Sequence, residues 1–169
     1  MTIADRKAFG IGLGLCLAIL VLDQITKAIV IKLMETHPFG IPILPVFSLV
    51  AAWNTGVSFS MLRGAGPWLL AGGATLVALA LIAWLTRIDN RLQAIGVGLI
   101  AGGALGNVID RVRAGAVFDF LDFYFKAGSG KEYHWPAFNL ADSAITVGVI
   151  LLLFHGLFHS ADRAKTEHS

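Results

Sequence analysis

Apolar residues along this chain gather into four long blocks, and the stretches between and beyond them carry most of the prolines and most of the charge. A bilayer core takes about 20 apolar residues as helix. The pattern therefore predicts membrane spans over residues 8–31, 67–86, 92–112 and 138–158. The second span has no charge and sets Trp68 and Trp84 near its two ends, where interfacial aromatic belts lie. Gly98, Gly102 and Gly106 recur every fourth residue on the third span, as Gly10 and Gly14 do on the first. Such stripes let helices approach closely. The expected fold is an all-α membrane protein of four transmembrane helices, one integral domain over residues 1–169.

Only residues 87–91 join the second and third spans, so those two helices are antiparallel neighbours. The other connections, 32–66 and 113–137, are long and fall together on the opposite side. Something is built there. In the first, Pro38, Pro42 and Pro45 break any helix. Two β-prone runs, 47–53 and 57–61, then flank Asn54-Thr55-Gly56, which predicts a hairpin lying on the membrane surface.

Composition sharpens this picture. The chain is 56% hydrophobic and 14% charged, with a mean hydropathy of +0.75, whereas soluble domains carry about 25% charge. A net charge of +2 with no basic tract argues against a nucleic-acid partner. The single cysteine, Cys16, excludes an internal disulfide and reads as a small hydrophobe inside the first span. Arg6-Lys7 before an apolar run raises the question of a signal peptide, but no A-x-A cleavage site follows, so the span is retained. Lys and Arg are tied across the membrane: Arg6, Lys7, Arg87, Arg91, Arg163 and Lys165 on the termini side against Lys32, Arg63, Arg111, Arg113, Lys126 and Lys131. The termini-side charges lie in shorter segments, which favours cytoplasmic termini.

Ionisable groups within spans cost roughly 2.5–3.5 kcal/mol or more at mid-bilayer and default to function. Asp23 and Lys27 share one face of the first span and could pair; the plainer alternative is a pair snorkelling at the interface. The third span ends with Asn107, Asp110 and Arg111 at helical spacing. Asp142 lies one turn inside the fourth, where Asn139 or Asp142 could act as a cap. Asp119 stands among apolar groups, and Asp122 in a more ordinary loop setting. Asp23, Asp110, Asp119 and Asp142 thus converge on one end of the bundle. Two close carboxylates share a proton and can work as acid and base, but spacing does not say which two. Ser58 or Ser60 with Lys27 would be a nucleophilic alternative lacking any motif, and His155 with His159 would be metal ligands lacking a third.

Five motifs in order resemble the lipoprotein signal peptidase (signal peptidase II) family. They are DQITK at 23–27, Asn54-Thr55-Gly56 with Phe59-Ser60, GGALGNVIDR at 102–111, VFDF at 117–120 and FNLADS at 138–143. The resemblance implies that Asp119 and Asp142 are the catalytic pair and that Asn54, Asn107, Arg111 and Asn139 line the substrate and inhibitor groove. It implies site-supporting roles for Asp23, Lys27, Gly56, Asp110 and Ala141. It further implies an extracytoplasmic β-cradle with a flap loop, no metal or other cofactor, and a monomer in the bacterial inner membrane with cytoplasmic termini. The implied reaction is signal-peptide removal before a diacylglyceryl-modified cysteine of a prolipoprotein, among membrane lipids, blocked by globomycin. Phe118 departs from the aliphatic residue expected there, and residues 126–135 read as a local variation of the flap. Rival readings of the same carboxylates are a proton relay and a non-catalytic membrane adaptor.

Overall fold

The computed structural model describes residues 3–56, 66–128 and 130–166. Four helices form where the apolar blocks lie: α1 (Ile3–Met34), α2 (Pro67–Leu85), α3 (Arg91–Ala114) and α4 (Leu140–Thr166). Each contains a stretch long and apolar enough to cross a membrane, and this is a multi-pass membrane protein. Their ends follow local chemistry. Pro67 opens α2 at a position where its missing N–H costs nothing. The Asn90 side chain caps α3 by accepting from the N–H of Leu92 and of Gln93. Gly115 closes α3 at φ 71°, a left-handed turn natural to glycine, and two residues later the chain enters a strand.

The third helix is the hub. Of its apolar stretch 56% is buried inside the protein, against 22%, 17% and 22% for the others, whose outer faces are left for lipid. It packs on α1, α2 and α4 at once because small residues line it. A Cβ on Gly98 would collide with the Gly12 carbonyl, one on Gly102 would sit 2.5 Å from the Cys16 carbonyl, and one on Gly106 would meet the Asp23 carboxylate. This is the predicted stripe, and it faces α1. Gly96 and Gly103 face α4 in the same way, against Gly148 and Ala141. The Gly10 and Gly14 stripe is a correction: both glycines face open space, and Gly12, hard against Leu85 and Ala94, is the close-packed one.

Gly102→Ala should push α1 off α3 and lower the thermal midpoint in detergent, at the cost of overpacking, about 1–3 kcal/mol. Because Lys27 rides on α1, activity should fall with it. An unchanged midpoint would show that the interface can relax.

The two long connections build one antiparallel sheet in the order β1-β2-β3-β4, from β1 (Ile41–Leu44), β2 (Phe47–Asn54), β3 (Val117–Lys126) and β4 (Glu132–His134). The first arm of the expected hairpin is β2; its partners among the described residues are β1 and β3, and the second arm, 57–61, lies outside those residues. Pro42 is tolerated because β1 is an edge strand. The flap is itself a hairpin, β3–β4, with Tyr124 opposite His134 and Lys126 opposite Glu132. Phe118, the unusual residue of its motif, is buried between Trp53 and Phe120 and joins Val30 and Met34 in anchoring the sheet to α1.

Candidate active site

Four elements bring the predicted polar residues together: α1 supplies Asp23 and Lys27, α3 Asn107, Asp110 and Arg111, β3 Asp119, and α4 with its approach Asn139 and Asp142. The glycine face of α3 makes this possible, since Gly106 lets the Asp23 carboxylate lie against the α3 backbone. The four carboxylates divide into two kinds.

Asp23 and Asp110 share one cation. Lys27 is only 3% exposed and lies 2.8 Å from Asp23 and 2.7 Å from Asp110, while also donating to Asn107 Oδ1 at 3.1 Å. Its three ammonium hydrogens are thereby used. The snorkelling alternative is overturned: a lysine stem could reach the interface, but two buried carboxylates hold it inside. The second Asp23 oxygen accepts from the Ala141 backbone N–H at 3.0 Å, tying α1 to the start of α4. Asp110 accepts from the Phe118 N–H at 3.2 Å, fixing β3 immediately before Asp119. Gln24, which sequence reading passed over, donates to Asp110 at 3.0 Å and is itself held by Arg113. Its position on the inner face beside Asp23 was the available signal.

Asp119 and Asp142 are held differently, by neutral amides. Asp119 accepts from Asn139 Nδ2 at 2.7 Å and Asn54 Nδ2 at 3.1 Å. Asp142 accepts from Asn107 Nδ2 at 2.8 Å and the Asn139 N–H at 3.2 Å. In return the Asn139 side chain accepts from the Asp142 N–H at 2.9 Å, so both capping alternatives hold at once as a reciprocal capping box at the start of α4. Asn139 Nδ2 also reaches Asn107 Oδ1 at 3.2 Å, so two asparagines bridge the two carboxylates. Arg111 stands within electrostatic reach of Asp142 and Asp119, with its guanidinium donating to the carbonyls of Asn107 and Gly56. Gly56 in turn donates to Asn54 Oδ1, which fixes that amide.

Burial pushes the Asp119 carboxyl up to about 6, and the neighbouring Asp142 adds to the rise. The Asn54 and Asn139 hydrogen bonds and the charge of Lys27 pull the other way. Asp119 is buried and Asp142 only half-buried, so the site opens at Asp142. There a cavity of about 210 Å³ is lined by Asn54, Gly56, Asn107, Arg111 and Asp142 among others. A larger one of about 590 Å³ shares Asp142 and Ile145 and runs between Trp135–Phe138 and the α4 face carrying Val147. Toward the opposite membrane face the bundle closes on an apolar core of Ala8, Leu85, Ile88, Ala94 and Val97.

Residues 15–158 match the family model described as Signal peptidase (SPase) II. This chain belongs to the signal peptidase II family. It is 45% identical to a lipoprotein signal peptidase of Rhodopseudomonas palustris over 142 residues, 82% of this chain and 86% of that one. It is 44% identical to the lipoprotein signal peptidase of Cupriavidus necator over 145 residues, 83% and 79% of the two chains. Among solved structures it is similar to a bacterial membrane enzyme determined in meso at 2.3 Å, with a TM-score of 0.76, 28% identity, and coverage of 90% and 91%. Membership of the signal peptidase II family makes the chain a peptidase, with its polar residues gathered at one end of an apolar bundle.

Ser58 and Ser60 lie outside the described residues, as does the side chain of His159. The lysine that a serine nucleophile would need is committed to Asp23 and Asp110. Asp122 is a correction. It is not a loop residue but a buried member of β3, paired with His134.

Proposed function

We propose that this chain is an aspartyl endopeptidase of the bacterial inner membrane that removes signal peptides from diacylglyceryl-modified prolipoproteins, cutting before the lipidated cysteine. Asp119 and Asp142 are the catalytic pair. The observation that carries this reading is the division of the carboxylates: two share the ammonium of Lys27, and two are hydrogen-bonded by amides among the described residues, Asp119 buried beside Asp142 and Asp142 lining an open cavity.

Asp119, the more buried, carries the shared proton, and Asp142 is the base. Asp142 takes a proton from water as the water oxygen attacks the scissile carbonyl carbon, and Asp119 gives its proton to the carbonyl oxygen. Collapse of the tetrahedral intermediate returns that proton to Asp119, and Asp142 protonates the leaving amine as the C–N bond breaks. Asn54, Asn107, Arg111 and Asn139 hold the peptide backbone. Asp23, Lys27, Gly56, Asp110 and Ala141 support them, and the chain supplies this chemistry from its own side chains with no cofactor. The lipobox lies between sheet and bundle, and the acyl chains stay on the lipid side, for which the larger cavity beside Asp142 leaves room. Residues 1–169 act as one domain and as a monomer, with cytoplasmic termini and the site toward the outer face. Globomycin competes for the same groove. The apolar core beneath the site argues against a transmembrane proton relay.

The deciding experiment is incubation of the purified protein with a diacylglyceryl-modified prolipoprotein and with its unlipidated precursor. Cleavage of the first alone, with the new N-terminus at the cysteine, is expected; failure to cut a verified lipidated substrate sinks the proposal. The pH profile adds a test. The proton on Asp119 is lost as pH rises through about 6, so kcat/KM of the free enzyme should fall above that value. Asn54→Ala removes a hydrogen bond that favours the ionised form, and should move this limb to higher pH. A limb that stays in place would detach it from Asp119.

A further inference from the structure

Beyond the amide-held pair lies a part-buried polar contact, a buried carboxylate under an exposed imidazole, that the mechanism leaves unused. Asp122 follows Asp119 by three residues on β3 and is buried. Its side-chain partner among the described residues is His134, whose Nδ1 stands 3.0 and 2.9 Å from the two carboxylate oxygens. Nδ1 therefore carries a hydrogen and donates it. The imidazole stacks on Tyr124 at 5.2 Å, with Nε2 3.7 Å from Glu132.

His134 ends β4, yet the chain beyond it stays zippered to β3. The Trp135 N–H donates to the Phe123 carbonyl at 2.7 Å, and Phe138 exchanges backbone hydrogen bonds with Leu121 at 2.8 and 3.1 Å. Its ring stacks on Phe123. The next residue is Asn139, which donates to Asp119 and caps the helix bearing Asp142. Asp119 rides on β3 and Asp142 on α4, so the seating of residues 132–139 against β3 sets one relative to the other. The outer ion pair of this hairpin, Lys126–Glu132, is exposed and worth little.

We propose that Asp122 and His134 are a positioning pair, a clamp that fixes the approach to α4 on β3 and thereby the spacing of the two catalytic aspartates. The inference rests on the reading of Asp119 and Asp142 as the cleaving pair. Removing the exposed imidazole leaves the buried Asp122 carboxylate to water that enters where the ring stood, so the segment loses its side-chain tie to β3 and Asn139 is held less firmly.

The test is kcat and KM on a diacylglyceryl-modified prolipoprotein for wild type, His134→Ala, His134→Asn and His134→Gln, with thermal midpoints in detergent. An asparagine amide nitrogen falls near the place of Nδ1; a glutamine nitrogen reaches past it. His134→Ala should lower kcat about 10- to 100-fold, the scale of a misplaced catalytic group, with KM within about twofold. His134→Asn should recover most of the rate and His134→Gln little. An unaltered kcat in His134→Ala, or an asparagine variant no better than glutamine, overturns the clamp. Should His134→Ala fail to fold, the asparagine–glutamine contrast decides alone. A wild type that leaves the substrate uncut, or an Asp119→Asn protein that still cuts, defeats the catalytic assignment itself. A competent wild type indifferent at His134 defeats only the clamp.

Discussion

Asp119→Asn and Asp142→Asn should each lower prolipoprotein cleavage by about 10³-fold or more while the protein still folds. Each substitution keeps side-chain volume and removes one member of the proposed acid–base pair. The two should differ in stability. The folded protein holds the Asp119 carboxyl at about 6, above its ordinary value of 3.8, so between those values the folded state binds a proton that the unfolded chain has released. Ionised Asp119 is therefore a burden on the fold, fully present above pH 6 and absent below about pH 4. Asp119→Asn turns an amide hydrogen on a donor, either Asn139 Nδ2 or Asn54 Nδ2, but it sheds that burden, so relative to wild type it should melt higher at pH 7.5 than at pH 4. Asp142→Asn should melt slightly lower at pH 7.5, because an amide hydrogen then faces a donor, either Asn107 Nδ2 or the Asn139 N–H. Thermal melts across pH, paired with cleavage assays, check both. Cleavage near the normal rate in either variant removes that residue from the mechanism, and an Asp119→Asn protein that melts lower at pH 7.5 than at pH 4 relative to wild type reverses the electrostatic argument.

Lys27→Met should damage folding more than either. It leaves two carboxylates in the protein interior without their cation and deprives Asn107 of a donor. Breaking a buried ion pair on one side costs about 3–5 kcal/mol. The expected result is poor yield and a sharply lower thermal midpoint, with activity lost. Neutralising the acids as well, in the triple variant with Asp23→Asn and Asp110→Asn, should restore much of the midpoint, since a neutral replacement of a whole buried ion network is often tolerated. Lys27→Arg should not rescue, because a planar guanidinium does not fit the site of a point charge held on three sides. A Lys27→Met protein that melts like wild type would place the lysine outside the folding core.

The four helices were legible because spans are written in runs of apolar residues. The glycines of α3 were legible too, since periodicity alone puts Gly98, Gly102 and Gly106 on one face. Gly10 and Gly14 share that spacing but face open space, because periodicity defines a face and not its partner. The sheet was visible only as one hairpin arm, since β2 pairs with β3 across more than sixty positions of chain.

By itself, then, the sequence determined a membrane bundle with its carboxylates at one end, because burial in lipid is enforced residue by residue and every polar exception stands out. Only the tertiary structure decided what holds each carboxylate. Lys27 reaches Asp23 and Asp110 because α1 and α3 touch at glycine, and Asp119 meets Asn139 because β3 and the approach to α4 lie side by side. Charge pairing and amide holding are properties of distances between elements, and those distances exist only once the helices have packed.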